Sequence, residues 1–164
     1  MSVALLKNKL SLNTLEMANI LEYNTTTSTN NVVTIRASIC MIEHGTYTSK
    51  IDNNIIIFKL AGDFNEYGIL SCLKAQKCCI ETFGEKPCSL LVDCSAQTGA
   101  TPEAYLVVNT FYNELDCENL RSIAIVHSNY VLARLEDREI PEMKKHNVKV
   151  FSDEKSAIAW LKES

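Results

Sequence analysis

The chain of 164 residues contains no C-x-x-C pair, no Gly-rich phosphate loop, no excess of basic residues and no long apolar run. Each absence removes a class of function. Seven cysteines are present, Cys40, Cys72, Cys78, Cys79, Cys88, Cys94 and Cys117, but their number is odd and no C-x-x-C spacing occurs among them. A structural zinc site wants paired ligands at short spacing, and a disulfide framework wants an even count. Several of these thiols fall inside apolar periodic segments, where cysteine packs as a small hydrophobe. Reduced thiols in a cytoplasmic protein are therefore expected, with no metal and no cofactor. Gly62, Gly68, Gly84 and Gly99 stand isolated, so neither a dinucleotide fingerprint nor a Walker-type loop can be drawn through them. The formal net charge of -4 argues against nucleic acid or an anionic membrane as the main partner. No apolar run approaches the ~18 residues of a membrane span. Lys7, Asn8, Lys9 and Asn13 interrupt the first segment, which does not read as a secretory signal.

What is present is an ordinary globular composition, 46% apolar and 22% charged, in a length that suits one domain and an extension. A domain of this size buries a full core without metals or disulfides. Residues 1–44 read as the extension and residues 45–164 as the domain. Leu6, Leu10, Met17, Ile20 and Leu21 allow an amphipathic helix, "NTTTSTNN" over 24–31 reads as linker, and Val32–Ile42 reads as an extra strand or an unstructured lead-in.

From Thr46 the pattern is regular. Thr46–Ile51 and Ile55–Leu60 flank "DNN", a hairpin signal. Helical spacing covers Asn65–Phe83 and Pro102–Leu115, and again Asn129–Lys145, where Pro141 should break or kink it. Cys88–Asp93, Leu120–His127 and Val148–Phe151 read as strands, and Asp153–Lys162 as a last helix capped by Ser152. Strands alternating with helices predict an α/β fold with parallel pairing after the hairpin. The two strand faces are unequal. Ile56, Phe58, Leu60, Leu90, Val92, Ile123 and Ile125 make one bulky face; Ile55, Ile57, Lys59, Ser89, Leu91, Ser122, Ala124 and Val126 make a smaller, mixed one. A sheet buried equally on both sides should be bulky on both. Helices are therefore expected mainly on the first face, with the second covered by the N-terminal segment or by another subunit. The latter reading predicts a homodimer.

This order, with the strand end "LVDCS", the segment "SIAIVHSN" and the ending "VKVFSDEKSAIAWL", resembles the SpoIIAA-like family of the STAS superfamily, whose relatives are also described as STAS/SEC14-like. The resemblance covers about residues 45–162, roughly 70% of the chain. It implies a short β-α superhelix, a mixed four- to five-stranded sheet with an initial hairpin. It also implies a non-enzymatic regulatory module that binds a protein partner and is switched by phosphorylation of a serine in a D-S-S-G-type turn before the second helix. Here the matching turn reads "DCSAQTGATPEA", without that motif. Asp93, Ser95, Thr98 and Thr101 are the residues of the turn that could serve as phospho-acceptor or recognition points.

Other chemistries weigh less. Asp93 as a receiver-type phospho-acceptor would need an acidic pair after the first parallel strand, and only Asp63 is there; a carboxylate accepting backbone N–H groups is the plainer reading. Thr101-Pro102-Glu103 is a helix start, hydroxyl cap followed by proline and acid. Cys94 and His127 sit near the C-terminal ends of neighbouring strands, where α/β sheets place ligands, but a thiol enzyme needs a third, orienting group, and none is evident. His44 and His146 fall in loops. "ARLEDREIPEMKK", Ala133 to Lys145, reads as a solvated helix face or a partner surface. The SEC14-like kinship also suggests a small carrier of an apolar, lipid-like molecule in an enclosed pocket.

Overall fold

The computed structural model describes residues 42–128 and 130–164. The helix, linker and lead-in expected within residues 1–41 lie outside the described residues. The elements in chain order are β1 (Thr46–Asp52), β2 (Ile55–Phe64), α1 (Glu66–Glu81), β3 (Cys88–Ala100), α2 (Pro102–Glu114), β4 (Leu120–Val126), α3 (Tyr130–Glu139), a 3-10 turn (Pro141–Lys145), β5 (Val148–Phe151) and α4 (Glu154–Glu163). The sheet has five strands in sequential order, β1 antiparallel to β2 and every later pair parallel. This is the α/β arrangement with an initial hairpin that the pattern predicts.

Local chemistry accounts for the element ends. The hairpin turns at Asn53-Asn54, with Asn53 in the left-handed region at φ 56, which asparagine tolerates better than most side chains. Asn65 caps α1: its Oδ1 accepts from the Gly68 N–H at 3.0 Å and from the His44 N–H at 3.0 Å, while its Nδ2 donates to the Ile42 carbonyl at 2.8 Å. One amide thus starts the helix and ties down the chain entering the domain. Gly68 is required there, because a Cβ would lie 1.9 Å from the His44 carbonyl oxygen. α3 stops at Glu139 because Ile140 precedes a proline and is pushed out of the helical region, to φ -123 and ψ 61. The cap of α4 is Asp153, not Ser152: its carboxylate accepts from the Ser156 N–H at 2.8 Å and from the Ser156 hydroxyl at 2.9 Å.

The bulky sheet face is buried as expected, with Ile56, Phe58, Leu90 and Ile123 almost fully enclosed. Residues of α1, α2 and α3 meet it around Leu60, Val92 and Ile125. The covering of the second face departs from expectation. Ile55, Ile57, Leu91, Ala124 and Val126 form a cluster with Ala157 and Leu161 of α4, flanked by Phe151, Ile158 and Trp160. The chain therefore covers this face itself, and the smaller residues Ala124 and Ala157, both fully buried, let the single helix approach closely. Lys59 on the same face pairs with Glu154 at the start of α4, 2.6 Å away. The argument for a second subunit on this face falls with that finding. Among the described residues no helix is long and apolar enough to cross a membrane.

Candidate functional site

The stretch read as a turn after Asp93 is strand. β3 continues to Ala100, and its partner β2 continues to Phe64 rather than ending at Leu60. The extra length carries two irregularities. Lys59 pairs with Asp93 and Ala61 with Ala96, so two residues of β3 oppose one of β2; Gly62 then pairs with Gln97 and Asp63 with Gly99, leaving Thr98 extra. Bulges of this kind re-aim side chains. Val92 and Cys94 face the helix side by the period-two rule, but past the first bulge it is Gln97, not Ala96, that turns inward. A turn-like composition thus marks a bulged strand end, because the pairing with β2 satisfies a backbone that local signals leave open.

The four predicted residues are distributed around this end rather than gathered in one pocket. Asp93 lies beside Lys59, 3.5 Å away, and its Oδ1 accepts from the Ser95 N–H at 3.0 Å. Those hydrogen bonds and the ammonium outweigh its partial burial and hold its carboxyl below the usual range, so it is a fixed anion that orders the bulge. Ser95 is exposed, and its carbonyl accepts from the Ser128 hydroxyl at 2.9 Å, which joins the ends of β3 and β4. Thr98 is exposed and donates to Asp63 at 2.8 Å. Thr101 caps α2, accepting from the Ala104 N–H at 3.2 Å. Ser95 and Thr98 are the exposed residues of the four, whereas Asp93 and Thr101 build the frame.

Beneath the bulge the fold joins three groups. Cys94 on β3, His127 at the end of β4 and Glu136 on α3 offer ligand-type atoms that all lie within 4.8 Å of one another. Register explains the first two: Asp93 pairs with Val126, so the next residues of both strands are neighbours. Glu136 then closes the group, its carboxylate 2.7 Å from His127 Nε2. The absence of a third group, expected from the sequence, is thereby corrected. The signal was in the charge run: Glu136 stands three residues after Ala133 and four before Ile140, the buried residue of that helix end, so it shares their inward face. When His127 donates from Nε2 to the carboxylate, the lone pair stays on Nδ1, which is buried and has no hydrogen-bond partner. Burial above all, with the nearby carboxylates of Glu136 and Asp93, pushes the Cys94 thiol far above its ordinary value, so it is a protonated thiol and a poor nucleophile at neutral pH.

Two spaces adjoin this group. A cavity of about 50 Å³ between the sheet and α1, α2 and α3 is bounded by Cys94, Gln97, Tyr105, Glu136 and Gln76, whose buried Oε1 has no partner. It is far below the roughly 300–1,000 Å³ of a small-molecule pocket and has no room for a lipid chain. A hollow of about 230 Å³ between β4, β5 and α3 is lined by His127, Glu136, Ile140, Val148 and Val150. His146 lies in the loop after the 3-10 turn, as expected, and its ring makes a 2.8 Å hydrogen bond with the Tyr112 carbonyl that ties this loop to α2.

No protein-family model matches the chain, and no curated protein matches it. Solved structures do. A protein of the DUF3478 family with a SpoIIAA-like fold from Shewanella loihica superposes with a TM-score of 0.53 at 14% identity, over 73% of this chain and 95% of its own. An anti-sigma factor antagonist from Mycobacterium paratuberculosis gives 0.55 at 12%, over 73% and 95%. The anti-sigma factor antagonist SpoIIAA in its unphosphorylated form gives 0.52 at 8%, over 73% and 100%. At these identities the likeness is one of architecture, and this chain, with five strands in sequential order of which the first two form a hairpin, has the SpoIIAA-like fold.

Proposed function

We propose that residues 45–164 form a non-enzymatic, protein-binding regulatory module of STAS type, acting in the cytoplasm, with residues 1–44 as an extension to it. Its recognition surface is the bulged end of β3 and the start of α2. The observation that carries the reading is the exposure of Ser95 and Thr98 on a strand whose first five residues are buried. Polar hydroxyls on a rigid strand end beside a helix N-terminus suit either recognition by a partner or a phosphate, which the helix end favours and Glu103 opposes. The anti-sigma factor antagonists that share the fold support the same class of role. Thr98 and Thr101 are the weaker acceptors, because the Thr98 hydroxyl already donates to Asp63 and the Thr101 hydroxyl already caps α2.

A photo-crosslinking amino acid placed at position 95 or 98 tests this in the producing cell. A discrete protein adduct at those positions, missing when the same probe replaces exposed Lys50 on β1, supports the surface. Equal adducts at all three positions, or none, count against it. Mass spectrometry of the protein from its native cells tests the switch: no phosphate between Ser95 and Thr101 would remove phosphorylation control while leaving partner binding to the first experiment.

A further inference from the structure

We propose that Cys94, His127 and Glu136 bind one divalent transition-metal ion of the zinc class, at a site independent of the exposed surface above. The three donors come from β3, the end of β4 and α3, and their ligand atoms lie within 4.8 Å of one another. Bond lengths of about 2.0–2.3 Å in tetrahedral geometry put donors roughly 3.4 Å apart.

The donor set selects the ion. A thiolate and an imidazole favour zinc and its neighbours, whereas magnesium and calcium require oxygen ligands. Cys94 and His127 are each only 6% exposed, so the site is shielded from water. The second observation is the pair itself: His127 Nε2 and the Glu136 carboxylate already face each other at 2.7 Å, and an ion taking the place of the shared proton, which moves to Nδ1, keeps both as ligands. Binding forms the metal–sulfur bond as the Cys94 thiol proton leaves to solvent, and a three-residue set leaves one position for water. The ion enters from the hollow of about 230 Å³, which both His127 and Glu136 line.

The experiment uses the full-length reduced chain, stripped with chelator and titrated with cobalt(II). The expected result is a thiolate-to-cobalt charge-transfer band with the visible bands of a tetrahedral site, saturating at a single equivalent and displaced by zinc. Cys94→Ser and His127→Ala should each abolish the band. Glu136→Gln, which removes the carboxylate ligand, should weaken binding by more than the about 10- to 100-fold that loss of an outer partner costs. Replacement of Cys40, Cys78, Cys79 and Cys117 by serine should leave it intact. A wild-type chain without the band overturns the proposal, as does a band that survives Cys94→Ser or disappears with the other four thiols. Should Cys94→Ser fail to fold, zinc is expected to slow alkylation of Cys94 but not of Cys72 in partly denatured wild-type protein; equal rates with and without zinc overturn the site.

Discussion

Thr101 and Cys94 show how one stretch separates into frame and function at the scale of single residues. The Thr101 hydroxyl accepts the Ala104 N–H, with Pro102 at the first helical position and Glu103 in the first turn of α2. Thr101→Ala is expected to cost about 1 kcal/mol in urea unfolding, and Thr101→Ser close to nothing; equal losses for the two would show that the methyl group, not the cap, matters. Cys94 is buried and its thiol is held protonated, while Cys78 is exposed. Iodoacetamide is therefore expected to label Cys94 in the native metal-free protein roughly tenfold or more slowly than Cys78. Comparable rates would revive the thiol-enzyme reading, for which Glu136 now supplies the orienting group. The buried, protonated thiol argues the other way.

Among the elements, α4 closes the second face of the sheet. It seals the smaller sheet face through Ala157 and Leu161, and its start is fixed by Asp153 and by the Lys59–Glu154 pair. Hydrogen bonds from the Ser156 backbone and hydroxyl hold the Asp153 carboxyl below its ordinary value. A carboxyl depressed in the folded state contributes stability that is fully present above its unfolded pKa and is lost as pH falls through the folded one. Asp153→Asn keeps a capping oxygen and removes the titration. The wild-type excess over this variant is therefore expected to be constant near neutral pH and to shrink below about pH 4, read as urea midpoints. A difference that grows on acidification would contradict the assignment. The helix itself was legible as Asp153–Lys162 in the sequence. Its packing site was not, because the mixed face of Ser89, Ser122 and Lys59 resembles an uncovered surface until a helix with an alanine at the contact is laid on it.

In the molecule as a whole, the cavity between the sheet and α1, α2 and α3 measures about 50 Å³. That is room for one or two waters, whose share of liquid volume is about 30 Å³ each. Native mass spectrometry of freshly purified protein is accordingly expected to show no bound lipid; a lipid-sized adduct that persists would require the helices to part and would restore the carrier reading. The net charge of -4 over the full chain disfavours a polyanion as the main partner.

The sequence by itself determined the order of the elements, the hairpin, the bulky sheet face and the break at Pro141, since each depends on near neighbours: alternation along a strand, periodicity along a helix, a proline's fixed φ. Only the tertiary structure decided that β3 runs on through two bulges to Ala100, that α4 takes the second face, and that Cys94 and His127 meet a carboxylate nine residues further on, at Glu136. Those three facts depend on which backbone pairs with which and on which helix lies over which strand. Strand pairing can satisfy a polar stretch that would otherwise turn. Burial of a helix can bring inward a glutamate from a run of charges that looks solvated in one dimension.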